Sequence, residues 1–247
     1  MTAIPDRVSE FNLSNYETDW SQREYTREVG LRPIEAELIA REFPRPPARV
    51  LDIGCGAGRT TVGLHELGYT VVAGDIVETL IEQARTRFPQ LDFRVMDARA
   101  LNVETASFDA ALFSYNGIDV LYPETSRLAC LREIRRVLKP GGTFVFSSHN
   151  FCGAMFSGGF FYLRGYLNAG RFIAQQLTNR VAREWYMRYD DGGGTQYLFS
   201  APPARTVRQL HDCGFDVIEV CGDKGERAPR RLLLRQHHVH FVARARA

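Results

Sequence analysis

Residues 50–58 read Val-Leu-Asp-Ile-Gly-Cys-Gly-Ala-Gly, and this run constrains the chain more than any other segment. Val50 to Ile53 are typical of the end of a buried strand, and a helical pattern begins at Arg59. The three glycines between them are Gly54, Gly56 and Gly58. Because glycine has no side chain, the backbone can turn sharply and approach a ligand closely, and the start of the helix offers free amide donors. Asp52 lies just before the glycines, so we expect its carboxylate to face the same pocket.

The chemistry of this turn narrows the ligand. Backbone donors beside one carboxylate suit a ligand that carries an amine, a carboxylate and sugar hydroxyls. A nicotinamide or flavin fingerprint would require glycine or alanine at the sixth position counted from Gly54, where this chain has Arg59. A dinucleotide is therefore disfavoured, and a tight turn without any ligand is the remaining alternative.

Length and composition are those of an ordinary globular chain. At 247 residues the chain can bury a full core, which predicts one large domain or one domain with an insertion. The net charge is only +2, and the one basic cluster is the arginine-rich tail after residue 226, so we expect no nucleic-acid substrate. No apolar run approaches the roughly 20 residues that span a bilayer, and residues 1–10 lack a secretory signal pattern. We therefore expect a cytoplasmic protein without a membrane partner.

The cysteines and histidines give no pattern of a structural cross-link. Five cysteines without C-x-x-C spacing argue against a disulfide framework and against a zinc site. His237, His238 and His240 lie close together near the C-terminus, but no carboxylate spacing supports a metal there. We predict no metal ion.

Strand and helix patterns alternate along the chain. Short runs rich in β-branched and aromatic residues predict strands at Val50–Ile53, Thr70–Ala73, Leu91–Val95, Phe108–Phe113, Thr143–Ser147, Asp216–Val220 and His238–Ala243. Helical patterns lie between them, and Lys-Pro-Gly-Gly at 139–142 ends one such helix before the fifth strand. Alternation of this kind predicts an α/β, doubly wound and mostly parallel sheet with helices on both faces. Asp75 follows the second strand about 20 residues after Gly54, where a ribose-binding carboxylate is expected.

With these motifs the chain resembles the class I S-adenosylmethionine-dependent methyltransferases over residues 48–148. The first motif of that family is an acidic residue, any residue and then Gly-x-Gly-x-Gly, which Asp52 and the glycine turn match. The family's later motifs follow in the same order here, as Asp75, Asp97-Ala98 and Leu-Lys-Pro-Gly-Gly at 138–142. The resemblance implies S-adenosylmethionine as cofactor and a seven-stranded Rossmann-like methyltransferase sheet whose last strand is antiparallel.

The resemblance also implies a set of cofactor-binding residues. This set is Asp52, Gly54, Gly56, Gly58, Asp75, Ile76, Asp97, Ala98, Ser114 and Tyr115. By the resemblance, Asp75 would hold the ribose hydroxyls and Asp97 the adenine amino group. Ser114 and Tyr115 would lie beside the methionine part, largely through their backbone. For each of the acidic residues, a solvated loop position or a helix cap is the alternative.

Two segments remain once the core is assigned. We predict an N-terminal helical cap at 1–47, a cofactor-binding core at 48–150, an inserted substrate-binding lid at 151–204 and the C-terminal part of the core sheet at 205–247. The lid is rich in aromatic residues. It begins at the rim where the strand ends converge, so it can fold over that rim and cover a small acceptor. A small helical subdomain whose aromatic residues pack together is the alternative. The residues that we expect to contact the acceptor are Tyr16, Trp20, Tyr25, Asn150 and Trp185.

His149 is the candidate catalytic base. It follows the fifth predicted strand at the same rim, and imidazole titrates near neutral pH and can take a proton from a hydroxyl. A histidine that only hydrogen-bonds loop backbone is the alternative. The sequence therefore predicts methyl transfer to a small organic acceptor by in-line displacement, with O-methylation favoured. An N-methyltransferase that acts by proximity and a non-catalytic S-adenosylmethionine-binding protein stay open, and the oligomeric state is not predicted.

Overall fold

The computed structural model describes residues 4–115, 117–156, 163–190, 195–225 and 236–247. The strands are β1 (Arg49–Ile53), β2 (Thr70–Asp75), β3 (Asp92–Val95), β4 (Phe108–Phe113), β5 (Leu138–Asn150), β6 (Tyr186–Asp190), β7 (Thr195–Ala201), β8 (Phe215–Gly222) and β9 (His238–Ala245). The helices are α1 (Ile4–Tyr16), α2 (Asp19–Arg27), α3 (Pro33–Glu42), α4 (Arg59–Glu66), α5 (Glu78–Arg87), α6 (Glu124–Val137), α7 (Phe151–Phe156), α8 (Leu163–Thr178), α9 (Arg180–Arg183) and α10 (Pro203–Asp212), with a 3₁₀ turn η1 (Gly117–Val120). Residues 157–162 and 191–194 of the predicted lid and 226–235 of the arginine-rich tail lie outside the described residues.

Five parallel strands form the centre of the sheet in the order β3-β2-β1-β4-β5. Strand β9 lies antiparallel between β5 and β8. This arrangement is the mostly parallel, seven-stranded sheet with an antiparallel last strand that the resemblance implied, so the fold prediction is confirmed. The carboxyl ends of the parallel strands meet at one edge, where a doubly wound sheet binds its ligand.

Alternating side chains give the sheet two buried faces. In β1, Val50 packs with the apolar residues of α3 and α4, whereas Leu51 packs with those of α6 and α10. Both are fully buried. A strand buried on both faces reads as a continuous apolar run, and this is why β1 was recognisable without any alternation of polar residues.

Strand β5 differs from its prediction. It runs from Leu138 to Asn150, so the Lys-Pro-Gly-Gly segment and His149 both lie within the strand rather than before and after it. A register shift between Phe108 and Ala110 of β4 accommodates the glycine-rich segment in the pairing of the two strands. His149 is paired with His238 on β9 and with Ser200 on β7, which holds it in the sheet.

The insertion at 151–204 adds two strands that were not predicted. Strand β7 pairs parallel with the last two residues of β5, and β6 pairs antiparallel with β7, so the sheet has nine strands in all among the described residues. Part of the insertion's aromatic content packs on itself, with Phe151, Phe172 and Trp185 in one cluster. The division of the chain into four functional segments stays a prediction.

Helix α1 ties the N-terminal segment to the rest of the molecule. The Asn12 side chain donates to the carbonyl oxygens of Val120 at 3.1 Å and Tyr197 at 2.7 Å and accepts from the Tyr197 amide at 2.8 Å. Asn12 is 2% exposed, so these bonds are shielded from water. The N-terminal helix is thereby attached both to η1 and to the insertion strand β7.

A membrane-spanning helix is not found in the described part of the chain. The longest described helix, α8, has 16 residues, fewer than the roughly 20 apolar residues that a span requires. The expected cytoplasmic location stays a prediction.

Candidate functional site

The glycine turn adopts a conformation that side chains resist. Gly58 has a φ of +91°, and an added Cβ would lie 2.9 Å from the ring of Phe93. Gly56 has a φ of +53°, but an added Cβ would meet nothing within 4 Å. Its amide donates to Asp75 Oδ2 at 2.9 Å. Glycine at 58 is therefore required by packing and backbone, whereas glycine at 56 leaves a space open above the turn.

A cavity of about 330 Å³ lies over this turn at the carboxyl edge of the sheet. Its lining combines the turn, the ends of β2 and β4, η1 and the N-terminal helices: Ser9, Glu10, Asn12, Leu13, Tyr16, Tyr25, Gly54, Gly56, Asp75, Ile76, Val77, Leu80, Met96, Arg99, Phe113, Ser114, Tyr115, Gly117, Val120, Leu121 and Tyr122. A second cavity of about 70 Å³ shares five of these residues, Tyr25, Gly54, Gly56, Ser114 and Tyr115. It is lined in addition by Arg32 and Arg59. An elongated ligand could thus pass from one cavity to the other across the glycine turn.

Asp75 is held in the wall of the larger cavity by backbone donors. Its two carboxylate oxygens accept from the amides of Gly56 and Val77, each at 2.9 Å. Burial raises the pKa of Asp75, and backbone hydrogen bonds from Val77, Gly56 and Ile76 only partly offset that. The carboxylate keeps lone pairs for hydroxyl donors of a ligand, which is the role that the resemblance implied.

Asp52 lies beneath the turn rather than among the residues that line either cavity. It is fully buried, and its Oδ2 accepts from the hydroxyls of Thr60 and Thr61, each at 2.7 Å. Its Oδ1 has no hydrogen-bond partner among the described residues. Burial raises the pKa of Asp52 to about 6. The carboxylate joins the end of β1 to the first turn of α4 and so shapes the glycine turn from below.

Asp97 lies outside the cavity lining and binds Arg99, which is part of that lining. Its carboxylate accepts from the Arg99 amide at 2.8 Å and from the Arg99 guanidinium at 2.7 Å. Burial opposes ionisation of Asp97, but the hydrogen bonds from Arg99 outweigh it and lower its pKa. Arg99 lines the larger cavity, while Asp97 and Ala98 do not. Ala98 packs partly buried against the core.

Aromatic rings of the N-terminal segment cover the turn. The ring centroids of Tyr16 and Tyr25 are 5.5 Å apart, and Tyr25 meets Tyr115 edge to face at 6.1 Å. The Arg32 guanidinium stacks on Tyr115 at 4.3 Å. Burial, followed by the charge of Tyr25 and of Asp75, raises the pKa of Tyr16 well above its usual range. This series of rings covers the cavity above the glycine turn, and both Tyr16 and Tyr25 line it.

Arg59 joins the N-terminal segment to the glycine turn. Its guanidinium binds Glu35 of α3 through two hydrogen bonds of 2.7 and 2.8 Å and donates to Ser114 Oγ at 3.0 Å. The Ser114 hydroxyl also donates to Glu35. Burial opposes ionisation of Glu35, but Arg59 and then Ser114 outweigh it and lower its pKa. Arg59, which argued against a dinucleotide fingerprint, thus makes a nearly buried ion pair with Glu35 beside the smaller cavity.

Several predicted acceptor residues lie outside the cavity lining. Trp20 is 40% exposed, and Trp185 packs with Phe151 in the insertion. Asn150 is fully buried, and its side chain donates to the Gln236 carbonyl at 2.9 Å. His149 does not line either cavity. Of the five acceptor residues expected from the sequence, the structure brings Tyr16 and Tyr25 to the cavity.

His149 belongs to a buried polar network behind η1. Its backbone amide and its Nδ1 both bond to Asp119 Oδ2, at 2.7 and 2.8 Å. The His149 ring lies 5.0 Å from the Tyr189 ring and 4.9 Å from the His238 ring. Burial and then the neighbouring His149 lower the pKa of His238 to about 4, so His238 is neutral at physiological pH.

Sequence reasoning missed residues that only the tertiary structure brings to the site. These are the α1 residues of the lining other than Tyr16, together with Met96, Phe113, the ion pair of Glu35 with Arg59, and Asp119 behind the cavity wall. One signal was available for the buried network: Arg127 lies on the apolar stripe of α6 with Leu131 and Ile134, where a charged residue must find a buried partner.

The described residues include no group of histidine, cysteine or carboxylate side chains that could hold a metal ion. The cavity chemistry is instead that of backbone donors, carboxylates and aromatic faces. Such a set suits an organic cofactor with a sugar, an amine and a purine-like ring.

Comparison with known proteins identifies the family. A family profile described as "Methyltransferase domain" matches residues 50–142. A ubiquinone biosynthesis O-methyltransferase of Xanthomonas axonopodis pv. citri is 33% identical over 197 residues, which cover 78% of this chain and 72% of that protein. Another, from Xanthomonas campestris pv. campestris strain B100, is 34% identical over 132 residues, 51% of this chain and 54% of that protein. The chain thus spans about half the length of the first relatives that it matches.

Solved structures at lower identity share the fold. A methyltransferase from Methanosarcina mazei has a TM-score of 0.64 at 22% identity and covers 88% of this chain and 99% of its own. A 1,6-didemethyltoxoflavin-N1-methyltransferase from Burkholderia thailandensis, solved with 1,6-didemethyltoxoflavin and S-adenosylhomocysteine, has a TM-score of 0.66 at 21% identity. It covers 100% of this chain and 92% of its own. These likenesses concern the fold alone.

The chain belongs to the class I S-adenosylmethionine-dependent methyltransferases, as its motifs indicated. The residues present fit that cofactor, because Gly56 leaves open space above the turn and Asp75 lines the cavity beside it. The two adjoining cavities offer apolar contacts at Ile76, Leu80 and Met96 in the larger one and the Arg32 guanidinium in the smaller one.

Proposed function

We propose that this chain transfers the methyl group of S-adenosylmethionine to a small organic acceptor, with oxygen as the favoured acceptor atom. The observation that carries this proposal is the cavity over the glycine turn, which η1 and helix α1 extend beyond the cofactor-binding elements. The bound cofactor supplies a methyl group on a sulfonium, a leaving group that is already positively charged. The chain's own contribution is then mainly alignment, which can supply roughly 7–11 kcal/mol.

The residues of the cavity have distinct parts in this proposal. Asp75 binds the ribose hydroxyls, and Gly56 lets the backbone approach the methionine part. Tyr16 and Tyr25 exclude water from the reacting atoms, and this favours a step in which positive charge is lost. Arg32, stacked on Tyr115, faces the smaller cavity and pairs with the cofactor carboxylate.

A compact acceptor fits this site better than a polymer. The cavity is about 330 Å³ and is roofed by α1, whereas a nucleic-acid site would be an open basic groove. Two relatives above 30% identity are named ubiquinone biosynthesis O-methyltransferases. Their names support transfer to oxygen, and an aromatic hydroxyl is the acceptor group that we propose.

His149 is the proposed general base for a hydroxyl acceptor, although its ring lies in the network behind η1. Asparagine at this position would keep a donor toward Asp119 at the place of Nδ1 but could not take a proton. We therefore expect His149→Asn and His149→Ala each to lower kcat by roughly a hundredfold or more if the imidazole is the base. If His149→Asn keeps near wild-type kcat while His149→Ala loses it, His149 holds the site together and is not the base.

Transfer to nitrogen by proximity alone is the second candidate function. No histidine lines either cavity among the described residues, so an imidazole base is not built into their walls. A neutral amine needs no base, and both His149 variants would then retain activity on an amine acceptor while phenols fail to react.

The direct test is turnover against a panel of acceptors. Formation of S-adenosylhomocysteine would be measured with phenols, sugars, amines and carboxylates, and S-adenosylhomocysteine binding would be measured separately by calorimetry. Turnover of phenols is expected. Binding without turnover of any member would favour a non-catalytic S-adenosylmethionine-binding protein, and failure to bind would overturn the assignment of the cavity.

A further inference from the structure

The η1 turn forms the wall of the larger cavity on the side away from β2 and β3. Gly117 and Val120 of η1 line this cavity, followed by Leu121 and Tyr122. The only described side chain of η1 that carries a charge is Asp119, and it is fully buried on the far side of the turn. The cavity wall is thus backed by a charged group that does not touch the cavity.

The Asp119 carboxylate makes four hydrogen bonds, two at each oxygen. Its Oδ1 accepts from Arg127 Nη1 at 2.6 Å and from Ser148 Oγ at 2.7 Å. Its Oδ2 accepts from the backbone amide of His149 at 2.7 Å and bonds to His149 Nδ1 at 2.8 Å. An ionised carboxylate can only accept, so the contact with Nδ1 is a hydrogen bond in the His149 tautomer that carries its proton on Nδ1.

Arg127 completes the connection between η1 and its neighbours. It donates to the Ile118 carbonyl of η1 at 3.1 Å and to Gln209 Oε1 of α10 at 3.1 Å. Its guanidinium lies 4.2 Å from the centroid of the Phe199 ring on β7. One buried ion pair therefore links η1 to α6, β5, α10 and the insertion strand.

We propose that Asp119 is a positioning residue: with Arg127 it fixes η1, and through η1 it sets the wall against which the acceptor lies. A fully buried ion pair is often no more stabilising than apolar residues of the same volume, whereas its hydrogen bonds allow one orientation only. The pair bonds to a backbone carbonyl of η1 and to three groups on β5, so the turn has a single position relative to the sheet. This inference rests on the proposed function, because η1 matters only if an acceptor lies there.

The test compares Asp119→Asn with Asp109→Asn in the full-length chain. At position 119, either orientation of the asparagine amide places its NH₂ group against a donor. In one orientation this donor is Arg127 Nη1, and in the other it is the His149 backbone amide. We expect hydrogen exchange of the amides of residues 117–122 to accelerate about tenfold or more as η1 opens. KM for an acceptor from the panel should rise, and kcat for a hydroxyl acceptor should fall as well, because Asp119 also holds Nδ1 of the proposed base His149. Asp109 is the matched control, since it pairs with Lys139 at 2.6 Å and with the Arg49 amide at the opposite end of β4.

A double variant separates positioning from stability. Asp119→Leu combined with Arg127→Met removes both charges but leaves the Ser148 hydroxyl, the His149 amide and Gln209 without these partners. We therefore expect Tm to recover only in part from that of Asp119→Asn, while exchange at η1 stays fast and KM stays high. Recovery of slow exchange together with Tm would mean that the pair is merely structural and would overturn the proposal. Unchanged hydrogen exchange of the η1 amides in Asp119→Asn would also overturn the proposal.

Calorimetry with S-adenosylhomocysteine distinguishes this inference from the proposed function. We expect its Kd to remain within about twofold in the Asp119 variants, since the glycine turn and Asp75 make no contact with the pair. A wild-type chain that does not bind S-adenosylhomocysteine would refute the proposed function, whereas normal binding with undisturbed η1 exchange would refute only the role of Asp119.

Discussion

At the scale of single residues, the open space above Gly56 gives a direct test of the cofactor site. Gly56→Ala would cost about 1–2 kcal/mol of left-handed strain and would place a methyl group in the cavity. We expect S-adenosylhomocysteine binding, measured by calorimetry, to weaken about tenfold or more, which corresponds to about 1.4 kcal/mol.

Gly141→Ala is the matched control for this variant. Gly141 has a φ of +76°, and an added Cβ would also meet nothing within 4 Å, but it lies near the start of β5, away from the cavity. Both variants place alanine at a positive φ, so equal S-adenosylhomocysteine binding by the two would contradict the position of the cofactor above Gly56.

The raised pKa of Asp52 predicts that the free energy of unfolding depends on pH. Its pKa is about 6 in the folded chain and near 3.9 when unfolded, so between these values the folded state binds more protons than the unfolded state. The free energy of unfolding therefore falls as pH rises from about 4 to about 6, by an amount on the order of 3 kcal/mol for this group alone. Above pH 6 the contribution is constant.

The variant Asp52→Asn isolates this effect. Asparagine has nearly the same shape and its oxygen can accept from Thr60 and Thr61, but it does not ionise. Denaturant unfolding at pH 4.5 and 7 is expected to show a smaller loss of stability over this interval for Asp52→Asn than for the wild type. An identical pH profile in the two proteins would show that Asp52 is not the group responsible.

At the scale of elements, Asn12 holds helix α1 against η1 and β7. Asn12→Ala removes three hydrogen bonds of a buried side chain and leaves the two carbonyls and the Tyr197 amide that it serves unsatisfied. We expect the free energy of unfolding, measured in denaturant, to fall by about 1–3 kcal/mol.

The control for this variant is Ser14→Ala on the same helix. The Ser14 hydroxyl is exposed and donates only to the Phe11 carbonyl of its own helix, so we expect a change within about 0.5 kcal/mol. If the two variants were equally stable, α1 would not depend on its contacts with η1 and β7.

The elements themselves were predictable to different degrees. The strands of the core have apolar runs that stop at turn residues, and β1, β2 and β4 fall where the sequence predicts them. Strand β5 was predicted too short because Lys-Pro-Gly-Gly is typical of a turn, and pairing with β4 across a register shift keeps that segment in the sheet. Strands β6 and β7 were missed because they exist by pairing with each other and with the end of β5.

At the scale of the whole molecule, the cofactor cavity is closed by segments far apart in sequence. Saturation with S-adenosylhomocysteine at about 100 times its Kd should stabilise the folded state by about 2.7 kcal/mol. We expect Tm to rise and hydrogen exchange to slow in α1 and α2 as well as in the glycine turn, because Tyr16 and Tyr25 line the cavity.

Helix α8 serves as the internal reference for this experiment, since none of its residues lines either cavity at the glycine turn. Its exchange should change least. Protection that stops at residues 54–75 and leaves α1 and α2 unchanged would refute the covering role of Tyr16 and Tyr25.

The sequence by itself determined the family and the succession of core strands along the chain, and it predicted several residues that line the cavity over the glycine turn. It could do so because the glycine turn and Asp75 are local features whose chemistry follows from residue type and distance along the chain, while Ser114 and Tyr115 followed from the family resemblance. Only the tertiary structure decided which groups meet over that turn. Ion pairs such as Glu35 with Arg59 and Asp119 with Arg127 join elements that no periodicity connects, and the placement of His149 depends on which strands flank β5. Local sequence patterns specify backbone conformation. Contacts between distant segments are specified by burial instead, because each buried polar group requires a polar partner.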